Sequence, residues 1–110
     1  MMKRFEQFSN RTVNLENIKN SGRLAEFGIT CRYMPDPPED YDEFEFGTDY
    51  KGKQDIGIMV TIELMQIKRL RFGLIDPDDP DIVRPIGDAL DGFLDQKADI
   101  LLDFFNFITQ

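Results

Sequence analysis

The side chains that could do chemistry in this chain are one thiol and many carboxylates. Cys31 is the only cysteine among 110 residues, and the chain contains no histidine. A catalytic thiol needs a neighbouring base to form its thiolate, whereas a cysteine on the apolar side of an alternating segment is usually a small buried residue. The sequence also lacks a phosphate-binding glycine loop, a zinc-ligand spacing and a nucleophile elbow. We therefore expect no catalytic residues, no cofactor and no enzymatic activity.

A cluster of aspartates late in the chain is the only segment that invites a metal interpretation. Clustered carboxylates suit calcium or magnesium, and the cluster consists of Asp76, Asp78, Asp79 and Asp81. The calcium-loop pattern fails here, because Pro80 stands at the third ligand position and Asp81 stands where the glycine belongs. We therefore expect no metal site.

Aspartates also recur along the C-terminal segment at the spacing of one helix face. The pattern of residues 86–108 fits an amphipathic helix, and its polar face carries Asp88, Asp91, Asp95, Asp99 and Asp103. Side chains one helical turn apart stand about 5–6 Å from each other, which is comparable with the phosphate repeat along a nucleic-acid strand. We call this set the aspartate stripe. It is either a solvated helix face or a phosphate mimic that docks on a basic protein surface.

A second acidic segment combines carboxylates with apolar residues that could anchor a partner. Residues 35–43 contain three prolines and five acidic side chains, which predicts an extended, solvated loop. The segment is either a surface connection or a recognition arm. In the second interpretation the partner-binding residues are Glu39, Asp40, Tyr41, Asp42 and Glu43.

The element that must position these segments is the stretch from Ile56 to Ile75. Apolar residues occupy eight of its ten even positions, which is the period of β structure with one buried face. Twenty residues exceed an ordinary strand. The stretch is therefore one bent or bulged strand, two strands joined by a tight turn at residues 66–68, or a strand followed by a helix over residues 63–70.

The flanking segments complete the predicted architecture. Alternation predicts a strand over residues 24–33 and a short strand at residues 43–46. A short helix is expected within residues 3–19, a turn at residues 20–22, and a proline-punctuated loop over residues 75–85. Residues 1–110 then form a single α+β domain. It consists of an antiparallel sheet of about three to five strands with a long C-terminal amphipathic helix packed on one face.

The apolar side of that helix predicts self-association. It spans roughly 160°, wider than the stripe of an ordinary surface helix. One sheet face would cover most of it, and a neighbouring chain would cover the rest. The predicted oligomer interface consists of Leu94, Leu101, Phe104, Phe105 and Ile108.

Charge and composition narrow the function classes. The net charge of −8 disfavours direct nucleic-acid binding, because phosphates require a basic face. No apolar run reaches the roughly 20 residues of a membrane helix, and one cysteine fits a reducing compartment, so we expect a cytoplasmic protein without membrane partners. The sequence predicts a non-enzymatic protein-interaction or assembly protein of accessory or viral type that forms a homo-oligomer. The alternative is an acidic inhibitor or nucleic-acid mimic that docks on a basic protein surface.

Overall fold

The chain forms one antiparallel sheet with helices packed against one of its faces. A computed structural model describes residues 2–49, 56–76, 79–84 and 88–110. A 3₁₀ helix, Met2–Phe8, comes first. It is followed by α1 (Leu15–Ile18), α2 (Ser21–Glu26), β1 (Ile29–Tyr33), β2 (Tyr41–Thr48), β3 (Ile56–Glu63), β4 (Gln66–Asp76), β5 (Asp79–Arg84), α3 (Asp88–Gln96) and α4 (Ala98–Ile108). The five strands lie in sequence order, and every neighbouring pair is antiparallel. The predicted α+β class and antiparallel sheet are confirmed.

The stretch from Ile56 to Ile75 forms two strands, as one of the three alternatives proposed. Their turn lies at Leu64 and Met65, two residues before the predicted position, and the helix alternative is wrong. The even-position pattern crosses the turn because of a register shift in the β3–β4 pairing. Ile62 pairs with Ile67, whereas Val60 pairs with Leu70, so the shift returns the apolar residues of β4 to the buried face.

The N-terminal third differs from its prediction in the position of its helices. Where a turn was predicted at residues 20–22, α1 has already ended at Ile18 and α2 begins. Asn20 caps the start of α2 with a side-chain oxygen that accepts from the Arg23 amide at 3.1 Å. The predicted strand over residues 24–33 therefore begins only at Ile29. Gly28, with φ of +70°, makes the left-handed connection between α2 and β1.

Residues 75–85 include a strand where a loop was expected. β4 continues to Asp76, and β5 pairs with it at the edge of the sheet. An edge strand tolerates Pro80, because one side of its backbone donates to no neighbour. Asp78 and the side chains of Asp76, Asp79 and Asp81 lie outside the described residues, so the predicted absence of a metal site there remains a prediction.

The prediction of one long C-terminal helix is wrong. The segment is divided into α3 and α4 at Lys97, whose backbone has φ −100° and ψ 7°. One straight helix over residues 86–108 would measure about 34 Å, whereas the largest dimension of the protein is 32 Å. The break allows Phe93 and Leu94 of α3 to enter the same core as Leu101 of α4. Among the helices of the described ranges, none is long and apolar enough to cross a membrane.

The core lies between the sheet and α4, with the N-terminal segment closing its side. The ring of Phe104 packs against Phe46 of β2 at a centroid distance of 5.1 Å. The neighbouring Phe105 contacts Phe5 and Phe8 of the 3₁₀ helix at 5.5 and 5.3 Å. The wide apolar side of α4 is therefore covered by the sheet and by the chain's own N-terminal segment.

Candidate functional site

The five side chains predicted for an oligomer interface lie inside the core of this chain. Each is at most 1% exposed. The set consists of Leu94, Leu101, Phe104, Phe105 and Ile108. As the chain is folded, these side chains contact its own sheet and N-terminal segment and leave no surface to a second copy.

The aspartate stripe does not run along a single helix. Asp95 lies in α3, whereas Asp99 and Asp103 lie in α4 beyond the break at Lys97, and all three are exposed. Asp88 and Asp91 belong to α3, but their side chains lie outside the described residues. The regular carboxylate spacing that motivated phosphate mimicry assumed one continuous helix, and that assumption fails.

The predicted acidic arm divides into residues that hold the fold and residues that face solvent. The carboxylate of Asp42 accepts from the amides of Glu39 and Glu43 at 3.1 and 3.0 Å, which fixes the chain entering β2. Glu43 accepts from the Arg71 guanidinium at 2.5 Å and from the Thr61 hydroxyl at 3.3 Å. Asp42 and Glu43 therefore have internal partners.

The remaining three residues of the arm are exposed. Glu39 and Asp40 face solvent, and the side chain of Tyr41 at the start of β2 is 68% exposed. Tyr41 pairs across the sheet with Glu63 at the end of β3. The pairing brings the arm next to the turn that joins β3 to β4.

That turn has an unusual backbone for its residue types. Leu64 and Met65 both have positive φ, 52° and 66°, in a two-residue hairpin connection. Such connections favour asparagine and glycine, because a Cβ atom crowds the backbone in the left-handed region. The Leu64 amide donates to the Asp40 carbonyl at 2.8 Å, which ties the turn to the arm, while the Leu64 side chain is 67% exposed.

We define the hairpin tip as the surface formed by the exposed residues of the arm and of this turn. It contains Glu39, Asp40, Tyr41, Glu63 and Leu64. Two large apolar side chains lie here beside three exposed carboxylates. The sequence indicated the first three residues but missed Glu63 and Leu64. No glycine, asparagine or proline signals the turn, and Leu64 continues the apolar alternation.

The strands behind the tip carry carboxylates that are already paired. Glu45 lies 3.6 Å from the Arg32 guanidinium, and both side chains are 18% exposed. Glu43 forms an ion pair with Arg71. In the part of the chain that the structure describes, the acidic groups of the sheet that remain available to a partner lie at the tip.

The thiol and the carboxylates of the described ranges differ in their surroundings. Cys31 is half-buried, and this burial raises the pKa of its thiol above the ordinary value, which disfavours the reactive thiolate. No group of three or more cysteine or acidic side chains is arranged to hold a metal among the described residues. The arrangement at the tip is suited to binding.

Comparisons with protein-family models, with curated proteins and with solved structures found no match to this chain. The functional assignment therefore depends on the burial, charge and backbone geometry of the hairpin tip.

Proposed function

We propose that this chain is a non-enzymatic binding protein whose hairpin tip docks on a basic surface of a partner protein. One observation carries the proposal. The exposed Leu64 occupies a strained left-handed turn, hydrogen-bonded to the backbone of Asp40 and next to the exposed Tyr41.

The strain at Leu64 is not offset by burial of its side chain within the chain. A leucine in the left-handed region costs on the order of 1–2 kcal/mol, and its exposed side chain recovers little of this by burial. Backbone strain of this kind concentrates at ligand-binding sites, where it preorganises a contact. Tyr41 is the type of residue that dominates binding energy when an interface buries it.

The charges of the tip favour a partner surface of positive charge. Glu39, Asp40 and Glu63 are exposed neighbours of Tyr41 and Leu64 along the backbone, and no ion pair within the described part of the chain neutralises them. The net charge of −8 adds long-range attraction to a basic surface and accelerates encounter. The tip therefore supports the acidic-inhibitor form of the prediction, with its surface moved from the aspartate stripe to the hairpin.

The test is selection from a random displayed peptide library on the intact chain. We expect enriched peptides in which lysine or arginine flanks an apolar residue. Their affinity should fall at least about tenfold in Tyr41→Ala and in Leu64→Ala, because each anchor contributes roughly 1.5–3 kcal/mol when buried. Tyr33→Ala is the matched control, since Tyr33 is a 54% exposed tyrosine on the edge strand β1 that pairs with Glu45 and is not part of the tip.

Charge reversal separates the tip from the aspartate stripe. The double variant Glu39→Lys/Asp40→Lys should abolish binding of the selected peptides. Asp99→Lys/Asp103→Lys changes the net charge by the same amount and should leave binding within about twofold once salt has screened the long-range field. The proposal would be contradicted by peptides whose affinity falls in Asp99→Lys/Asp103→Lys but not in Glu39→Lys/Asp40→Lys. Enrichment of neutral or acidic peptides would also contradict it.

A further inference from the structure

The cleft beside the strained turn is the feature that extends the proposed function. It has a volume of about 620 Å³ and lies between the segment Arg11–Glu16, Met65 of the turn and the C-terminal residues Thr109 and Gln110. We propose that this cleft is a specificity pocket that receives one apolar side chain of the basic partner bound at the hairpin tip. The inference rests on the proposed function and names the partner residue that the tip alone does not select.

The walls of the cleft are fixed by the fold. The Val13 amide donates to the Met65 carbonyl at 2.8 Å, and the Asn14 amide donates to the Ile108 carbonyl at 2.7 Å. The Asn14 side chain also donates to the Gln110 carbonyl at 3.0 Å. Because these bonds join the N-terminal segment to both the turn and α4, the cleft is preformed. A ligand that binds there therefore loses little free energy to ordering of the protein.

The lining indicates the chemistry of the occupant. Val13 is buried, and Leu15 and Met65 are half-buried at the edge of the core, so the contacts offered to a ligand are mainly aliphatic. Methionine adapts its shape to different apolar partners. The cleft is shallow and widely open to solvent, which suits a side chain presented by a bound protein better than a small molecule that must be enclosed.

Continuity with the tip identifies where that side chain comes from. Leu64 and Met65 are adjacent in one turn, with Leu64 exposed at the tip and Met65 lining the cleft. A partner segment that covers Leu64 is therefore one residue away from the lining of the cleft at Met65. The occupant is a leucine, methionine or phenylalanine flanked by lysine or arginine.

The test compares two blocked peptides, Lys-Arg-Leu-Arg-Lys and Lys-Arg-Gly-Arg-Lys, on the chain labelled at its methionine methyl groups. We expect the leucine peptide to bind about tenfold more tightly, because part of a leucine leaves water. It should shift the Met65 methyl resonance and give a nuclear Overhauser contact to it. The Met59 methyl lies in the centre of β3, away from the cleft, and is the internal control. The glycine peptide should shift the amides of Glu63 and Leu64 without the contact to Met65.

A filling variant tests the same pocket from the protein side. Thr12 is exposed and lines the cleft, so Thr12→Trp should remove the preference for leucine over glycine. Thr30→Trp, at an exposed threonine of β1, is the matched control and should keep the preference. Equal binding of both peptides at the tip, with Met65 unaffected, would overturn the pocket and leave the proposed function standing. If neither peptide shifts the tip amides at millimolar concentration, both the pocket and the proposed function are overturned.

Discussion

At the scale of single residues, the hairpin tip departs from the local preferences of its own sequence. A two-residue connection between twisted antiparallel strands favours residues without a Cβ penalty at positive φ, yet this chain has Leu64 and Met65 there. The two residues differ in what they gain. Met65 is half-buried and packs against the core, whereas Leu64 is exposed. The two-residue hairpin imposes positive φ on both residues. Core packing offsets the strain at Met65, whereas the exposed side chain of Leu64 gains little from burial within the chain.

The difference between the two positions can be measured as a change in stability. Leu64→Asn should raise the free energy of unfolding by about 0.5–1 kcal/mol, because asparagine tolerates the left-handed region and little buried surface is lost. Met65→Asn relieves the same backbone strain but loses core contacts, so it should be neutral or destabilising. Urea denaturation of both variants checks the prediction. A Leu64→Asn protein less stable than the parent would show that Leu64 serves the fold.

At the scale of elements, the C-terminal end of α4 depends on asparagines far away in sequence. The Asn17 side chain donates to the Phe107 carbonyl at 2.7 Å, and the Asn14 backbone amide donates to the Ile108 carbonyl. The last carbonyls of a helix have no partner within it, so the N-terminal segment supplies donors to them. α1 is thereby attached to the end of α4, and the same attachment forms one wall of the cleft.

Two asparagine-to-aspartate substitutions test this capping with opposite expected signs. Asn17→Asp replaces the donor with a carboxylate at the negative end of α4 and should destabilise the protein by more than the roughly 1 kcal/mol lost in Asn17→Ala. Asn20→Asp keeps the acceptor at the positive end of α2 and should be neutral or slightly stabilising. Thermal unfolding of the three variants at low salt gives the comparison. Equal effects of the two aspartate substitutions would show that helix polarity does not govern these sites.

At the scale of the whole molecule, the fold uses its apolar surface internally and leaves acidic groups outside. Phe104 and Phe105 are fully buried by β2 and the 3₁₀ helix. Among the exposed acidic groups of the described residues are those of the hairpin tip, Asp95 of α3, and Asp99 and Asp103 of α4. The predicted interface for self-association is therefore inside the molecule, and the exposed acidic groups favour a different, basic partner.

We expect a monomer in solution at low and high salt, because the five residues predicted to join two copies are at most 1% exposed. Light scattering across a gel-filtration column measures the mass directly. A stable oligomer at micromolar concentration would show that another surface joins the copies. Retention of that oligomer in Leu64→Ala would further show that the surface is not the hairpin tip.

The sequence by itself determined the features that depend on short-range periodicity. Alternation of apolar residues predicted β structure in residues 56–75, and helical spacing predicted the apolar side of the C-terminal segment. The prediction of one buried face is wrong for β3, because Met59 and Thr61 on its other face are also buried. The excess of carboxylates identified the acidic arm that contributes Glu39, Asp40 and Tyr41 to the candidate site. These patterns persist because a strand or helix must present its apolar residues to one side wherever it packs.

Only the tertiary structure decided what each apolar or acidic side chain contacts. The turn at Leu64 and Met65 carries no local signal, since the pairing of β3 with β4 imposes its backbone and a register shift conceals it in the apolar pattern. The wide apolar side of α4 looked unsatisfied because nothing in the sequence shows that Phe5 and Phe8 fold back onto Phe105. Glu43 and Glu63 are both glutamates in alternating strand segments, and the sequence does not show that Arg71 pairs with Glu43 and not with Glu63. Contacts between residues distant in sequence make these distinctions, and local periodicity contains no information about them.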